Sequence, residues 1–364
     1  MAGKFERKLF SEINLDDPFF DSLKEDYPGS TVSTGFVNWF NRKASEGKKA
    51  LVFEDEQGVG AFINLKPDEV EEIKLENGYV LPKIARLKIT TIKIDERYQH
   101  QRIGEGAIGL TLWRWRDLEC DEIYVTVFDK QRPLIFLLEK YGFICVGNNL
   151  NGEKVYIRSR KNIDFSDPCK SFPFLSDKIE HAGYLAIDME YHDTMFAYSE
   201  LKNTLQESVD ISVANGLKKV YIGSPINPAF KVGEPVFIYR KFTGSTGKGF
   251  KSCVTSYCIV TKLVKVKSGG VARITYEKYR KLIGNKSVYS DEELQTKYEM
   301  LPNLTIIELL YYGYFGAGNN VNWFWLKDNQ CWPGGHPMSV RLSREQFDKI
   351  LGRGKVDVEN VIVN

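Results

Sequence analysis

Residues 97–106 read RYQHQRIGEG. They join an apolar-alternating run, ARLKITTIKID (85–95), to a helix-patterned run, AIGLTLWRWRDL (107–118). Period-two alternation predicts a strand for the first, and the second carries the spacing of a packed helix. At a strand-to-helix turn the first helical N–H groups have no carbonyl one turn earlier, and the helix dipole is positive there. Gly104 and Gly106 allow a ligand close to the main chain. The turn therefore predicts a site for phosphate or pyrophosphate. A dinucleotide-binding fold is less favoured, because it would want a repeating βαβ order and the preceding strands read as antiparallel.

Working outward, FFDSLKEDY (19–27) and GFVNWFNRKASEG (35–47) read as short amphipathic helices. KKALVFEDE (48–56) and GVGAFINLK (58–66) read as a hairpin. Beyond the turn come the strand DEIYVTVF, the helix RPLIFLLEKY closed by Gly142, and a hairpin, FICVGNN with EKVYIRSR. KNIDFSDPCKSFPF (161–174) holds two prolines and few regular signals, as a linker does. From Val232 onward strands dominate: EPVFIYRKF, KSCVTSYCIVTKLVKV, TIIELLYYGYF and PMSVRLS. The helical SDEELQTKYEML interrupts them and REQFDKILG closes the series. The expected division is 1–162, a linker or subdomain at 163–215, and 216–364.

The 364 residues carry 43% apolar side chains, enough for packed cores in more than one unit. No apolar run is long enough to cross a membrane, and the charged start lacks a signal-peptide core. Six cysteines without a Cys-x-x-Cys pair predict reduced thiols and a cytoplasmic setting. Four histidines without ligand spacing predict no metal. The net charge of +2 conceals an asymmetry: residues 215–286 hold fifteen Lys or Arg against two acids, Glu234 and Glu277. Such an excess is the footprint of a polyanion partner.

The order helix, helix, three strands, turn and helix, strand, helix, and a strand opening with Gly-Phe resembles the GNAT acyltransferase superfamily. IKIDERYQHQRIGEGAI (92–108) is similar to its acyl-CoA pyrophosphate loop, Gln/Arg-x-x-Gly-x-Gly/Ala. VTVFDKQRPLIFLLEKYGF (125–143) is similar to its segment ending Tyr-Glu-Lys-Leu-Gly-Phe. Gln101-x-x-Gly104-x-Gly106 matches the loop literally. Gln99-x-x-Arg102-x-Gly104 keeps the usual distance from the strand and is preferred, with Arg102 replacing the first glycine. The resemblance implies acetyl-CoA as cofactor. Ile92, Lys93 and Ile94 would hold the acyl and pantetheine portion. Gln99, His100, Gln101, Arg102, Ile103, Gly104, Glu105 and Gly106 would wrap the pyrophosphate. Leu138 stands where many relatives carry a tyrosine that protonates the leaving thiolate. The catalytic group is therefore unknown, with Asp95, Glu96, His100 and Tyr141 as weak candidates.

IGSPINPAFKVGEPVFIYRKF (222–242) and RLSREQFDKIL (341–351) resemble the opening and closing of PUA-like β-barrels of the ASCH and EVE types. The fold class expected for the whole chain is α+β: a GNAT-like mixed sheet flanked by helices, followed by a PUA-like β-barrel. The second likeness implies RNA or another nucleic acid, tRNA included, as partner. Cations interleave with rings around Arg240, Lys241, Lys248, Lys251 and Arg280, so phosphates and unpaired bases could both be held. Trp323 and Trp325 read as one face of a strand, packed in the core. CWPGGHP (331–337) is a turn-rich loop that could border a base pocket.

The expected function is acetyl-CoA-dependent N-acetyltransfer to RNA, aminoacyl-tRNA or an RNA-associated amine. The alternatives are a nucleic-acid-binding protein with a degenerate GNAT domain, and a protein N-acetyltransferase.

Overall fold

Two long strands, joined by a tight turn, organise the first half of the chain. They are β3 (Gly58–Lys74) and β4 (Val80–Ile94), and they belong to a sheet with β1 (Glu6–Leu9), β2 (Lys49–Asp55), β5 (Glu122–Val127), β6 (Ile144–Asn148) and β7 (Lys154–Ser159). The strand order is β1-β2-β3-β4-β5-β7-β6. All pairs are antiparallel except β4 with β5. That pair is parallel because its connection crosses over through helix α3 (Ile103–Arg116). The computed structural model describes residues 5–29, 35–118, 120–199, 211–225 and 227–364. The chain divides into the units Met1–Asn162 and Ile163–Asn364.

Helices α1 (Asp21–Asp26) and α2 (Phe36–Ser45) cover one sheet face, where Phe62 packs edge-on against Phe10 and Phe20, with centroids 5.6 and 5.4 Å away. Burying each such ring contributes about 1.5–3 kcal/mol. Helix α3 buries Ile103, Ala107, Ile108, Leu112 and Trp115. Helix α4 (Arg132–Lys140) has Pro at its start and ends at Gly142, whose φ of 80° closes the helix. Strand β3 runs eight residues past Lys66, the end of the expected hairpin strand. Pro67 breaks the alternation, and Asp68 takes a left-handed φ of 55° in an irregularity between Lys66 and Glu69, after which pairing resumes.

The second unit contains α5 (Pro168–Ser171), β8 (Leu175–Ser176), β9 (His181–Asp188), α6 (Met189–Met195), α7 (Ile211–Asn215), β10 (Lys218–Gly223) and β11 (Pro235–Lys241). It continues with α8 (Lys248–Lys251), β12 (Cys253–Ser268), β13 (Val271–Ala272), α9 (Tyr276–Ile283), α10 (Asp291–Met300) and β14 (Leu304–Tyr314). Then follow β15 (Val321–Asn322), α11 (Trp323–Asp328), β16 (Arg341–Ser343) and α12 (Arg344–Arg353). The main sheet runs β10-β14-β12-β11-β9-β16, and the described ladders do not join its two ends. Among the described residues no helix is long and apolar enough to cross a membrane.

The stretch 163–215 supplies β9, which lies between β11 and β16 in the main sheet. Its residues Ala182, Gly183, Tyr184 and Leu185 are buried. Part of that stretch, 200–210, lies outside the described residues. Trp323-Phe324-Trp325 is helical, not a strand. The Asn322 side chain accepts the Trp325 N–H at 2.9 Å and starts α11, so the rings follow helical rather than alternating geometry. Leu326 is the residue this helix buries.

Candidate functional site

The parallel ladder between β4 and β5 stops at Ile89 opposite Val125, although β4 continues to Ile94 and β5 to Val127. The cause is visible on the other side of β4. Thr91 pairs with Asn64 and Ile89 with Leu65, so Thr90 is an extra residue, a bulge. Its hydroxyl donates to the Asn64 carbonyl (3.0 Å) and accepts from the Asn64 amide (2.5 Å). A bulge bends its strand and increases twist, which here turns residues 90–94 away from β5. Beyond Ile89 and Val125 the described ladder pairs no further residues of β4 and β5, and the two strands open into a wedge.

The wedge continues into a cleft of about 2100 Å³. Among the expected cofactor residues, Ile92, Lys93, Ile94, Gln99, His100, Arg102, Gly104 and Glu105 line it. Gln101, Ile103 and Gly106 do not: Ile103 and Gly106 are buried in the α3 packing, and the Gln101 amide reaches back to the Arg97 carbonyl at 3.4 Å. His100 and Arg102 have left-handed φ values of 66° and 60°. Arg102 is the N-cap of α3, so it occupies a backbone conformation that glycine adopts without strain. The helix start approaches its neighbours closely at Gly104, where a Cβ would stand 3.3 Å from Leu137 Cδ2 and 3.4 Å from Ile94 Cδ1.

Charges at the helix start are already engaged. Glu105 in the first turn takes Arg102 Nη2 at 2.7 Å and Lys140 Nζ at 3.0 Å. Burial would raise its carboxyl, but the two cations outweigh burial and hold it down at about 2. Deeper in the cleft, the Lys93 ammonium, lowered by burial, donates to the Ser22 hydroxyl at 2.6 Å and to the Phe19 carbonyl, tying β4 to α1.

The weak catalytic candidates separate by position. Glu96 and His100 are exposed on the cleft rim. Asp95 also lines the cleft and caps the next turn by accepting the Arg97 N–H at 2.9 Å. Tyr141 is fully buried and does not line the cleft, and Leu138 is buried beside it. The cleft wall carries one cluster that the sequence reading missed. Glu71 accepts Lys88 Nζ at 2.8 Å and the Tyr124 hydroxyl. Burial raises the Glu71 carboxyl, and these two hydrogen bonds outweigh it and lower it. Glu71 lies in the part of β3 beyond Pro67, where alternation no longer signalled a strand.

In the second unit the expected cationic contacts are largely committed to acids. Arg240 is buried and holds both oxygens of Asp193 at 2.8 Å. Lys241 pairs with Asp188 at 3.0 Å, and Arg280 pairs with Asp291. Lys218 and Lys286 face Glu308, and Lys219 is buried against main-chain carbonyls. The acids come from outside the basic stretch, so residues 163–364 total 25 Lys or Arg against 22 Asp or Glu. Lys248 and Lys251 are exposed, with Lys251 Nζ 4.6 Å above the Phe242 ring. They stand beside a chamber of about 720 Å³ walled by Tyr239, Trp323 and Trp332, to which the loop 331–337 also contributes His336 and Pro337.

The second unit also holds a buried network. His192 Nδ1 donates to Asp193 at 2.8 Å, and its Nε2 accepts the Thr255 hydroxyl at 2.7 Å. His192 is fully buried, and that burial lowers its pKa below the usual histidine value.

No family model matches the chain, and no curated protein matches it. Solved structures do. Ard1 from Thermoplasma volcanium is 13% identical, covering 44% of this chain and 98% of its own, with a TM-score of 0.30. Arabidopsis thaliana NAA60 in complex with acetyl-CoA is 14% identical, covering 44% of this chain and all of its own, with a TM-score of 0.31. ASCH from Zymomonas mobilis is 12% identical, covering 48% of this chain and 96% of its own, with a TM-score of 0.30. The chain is thus similar to GNAT acetyltransferases over one part and to an ASCH protein over another.

Proposed function

We propose that this protein is an acetyl-CoA-dependent N-acetyltransferase whose second unit brings it to RNA. The observation that carries the reading is the wedge. A bulge at Thr90 ends the β4–β5 ladder, and the opened strands lead directly into the left-handed turn and the start of α3. Such a wedge suits a linear pantetheine arm, whose amides can take the place of the missing strand bonds. The helix start suits the pyrophosphate. Ile92 and Ile94 flank the arm, and Arg102 and Lys140 stand beside the anion position.

The reaction in this reading is direct attack. A neutral amine nitrogen bonds to the acetyl carbon, the carbon–sulfur bond breaks, and the amine's proton passes to the thiolate or to water. No side-chain acid is needed at Leu138, because a thiolate is a good leaving group. The acceptor is an amine on an RNA base, an aminoacyl-tRNA or an RNA-associated protein. A cytoplasmic setting belongs to the same reading and rests on six cysteines, none in a disulfide.

Calorimetry of acetyl-CoA with the purified chain, with and without total tRNA, tests the proposal. Micromolar binding followed by acetylated product supports it. Absence of binding in both conditions overturns it and favours the reading in which the first unit is degenerate. The Glu105 carboxylate, which already occupies both cations, is the observation on that side.

A further inference from the structure

Helix α1 is fastened to both arms of the wedge in the first unit. At its start, Ser22 and the Phe19 carbonyl take the Lys93 ammonium of β4. At its end, Asp26 pairs with Lys130, three residues past β5. The next residue, Tyr27, has its ring 5.7 Å from that of Phe128, which directly follows β5. Tyr27 is 40% exposed and lines the cleft together with Ile92 of one arm and Val127 of the other.

Behind the Tyr27 phenol stands a carboxylate. The hydroxyl donates to Glu153 Oε1 at 2.7 Å. Glu153 belongs to the turn between β6 and β7 and is 5% exposed. Its second oxygen accepts the Asn149 side-chain amide at 2.8 Å, and its main-chain N–H donates to the Asn149 side-chain oxygen at 3.0 Å. Among the described residues no cation pairs with it. A buried carboxylate without a cation is costly to keep, and such groups concentrate at functional sites. This one reaches the cleft through the phenol. Burial and the neighbouring carboxylate push the phenol well above its ordinary pKa, so it holds its proton at neutral pH. A phenol oxygen that donates its proton still has lone pairs with which to accept one from a nitrogen in the cleft. Donating to a carboxylate strengthens it in that role.

We propose that Tyr27, backed by Glu153, is the catalytic residue that takes the proton of the acceptor amine. This assignment rests on the acetyltransferase reading and gives the proton a route through the protein. The amine nitrogen bonds to the acetyl carbon, and the carbon–sulfur bond breaks with its electron pair leaving on sulfur. In the same step the amine's N–H proton passes to the Tyr27 oxygen, and the phenol's own proton passes to a Glu153 oxygen. After product leaves, that proton returns through the phenol to the thiolate or to water. Tyr27 serves as a relay and Glu153 as the base, so neither the exposed Glu96 nor the exposed His100 is needed.

The test is calorimetry with two unreactive analogues of acetyl-CoA. In S-(N-methylcarbamoylmethyl)-CoA an amide N–H stands in for the acceptor nitrogen. In S-(methoxycarbonylmethyl)-CoA an ester oxygen replaces it. The parental chain should bind the amide about 2- to 12-fold more tightly, the range for one hydrogen bond. Tyr27→Phe keeps the ring and should abolish the preference while acetyl-CoA affinity stays at the parental value. A phenol that served packing alone would weaken both analogues equally when removed. Glu153→Gln keeps the phenol and should keep the preference. It should lower acetyl transfer to methylamine, followed by mass spectrometry, by about 100- to 10,000-fold. Where the parental chain does not acetylate methylamine, the analogue comparison decides by itself. Equal parental affinity for the two analogues, a preference that survives in Tyr27→Phe, or parental transfer in Glu153→Gln would overturn the assignment. If acetyl-CoA binds and the analogues are not distinguished, the assignment alone falls. If acetyl-CoA does not bind, the acetyltransferase reading has failed and takes the assignment with it.

Discussion

Glu105 Oε2 lies 2.7 Å from Arg102 Nη2 across the first turn of α3, so the chain places its own carboxylate at the position proposed for the cofactor's phosphates. The same carboxylate holds Lys140. Glu105→Gln should leave both cations available. Acetyl-CoA affinity should rise by roughly fivefold, about 1 kcal/mol, as a competing carboxylate is removed. Calorimetry reads the effect directly, and weaker binding in the variant would show that the carboxylate organises the site instead of competing for it.

Gly104 faces Ile94 and Leu137 at the helix start proposed to receive the cofactor. Gly104→Val should cost about 1–3 kcal/mol in stability through overpacking. It should also reduce acetyl-CoA binding at least tenfold, on the order of 1.4 kcal/mol. Thermal melting and calorimetry together separate the two effects. An unchanged affinity would remove the helix start from the cofactor site.

Arg240 and Lys251 lie close together in sequence but serve different ends. Arg240→Ala would leave half-buried Asp193 with His192 but without its guanidinium partner and should destabilise the second unit by about 1–3 kcal/mol. Lys251→Ala should change stability by less than about 0.5 kcal/mol and weaken nucleic-acid binding instead. Urea denaturation beside anisotropy distinguishes them.

His192 sets a pH dependence well above the carboxylate range. Its folded pKa is lowered by burial, so the unfolded chain binds the proton more readily. The stabilising contribution is present above the unfolded value of about 6.5 and is lost as pH falls below it. The loss should approach about 1.4 kcal/mol per pH unit for one proton. Calorimetric melting between pH 7.5 and 5.5 should show the decline, and His192→Gln should flatten it. A flat parental profile would mean that the imidazole is not kept neutral.

Much of the first unit was readable because its signals are local. The alternation of 85–95, the glycines of the turn and the Gly142 helix end each act within a few residues. The extension of β3 was hidden by Pro67 and Asp68, since an irregularity erases the period on which strand reading depends. Pairings between distant segments left no mark: β7 enters between β5 and β6, and Arg240 finds Asp193 47 positions away. The excess of lysine and arginine in 215–286 was real in sequence. Its meaning changed because Glu308, Asp291, Asp193 and Asp188 arrive from elsewhere in the fold. At the cleft, turn residues such as Gln99 and Arg102 were legible as lining, and the Glu71–Lys88–Tyr124 cluster was not, for the same reason: it joins three strands.

The place of β9 between β11 and β16 decides where this protein can be divided. A fragment starting at residue 216 would contain every strand of the basic stretch and still lack the one that covers β11 along its length. The bared edge of β11, with Val236, Phe237 and Ile238 beside it, would offer unpaired main-chain groups to any neighbouring chain. Precipitation of such a fragment would then report a missing strand and say nothing about what the intact protein binds. A fragment starting at residue 163 retains β9 and is the one whose solubility and binding can be interpreted.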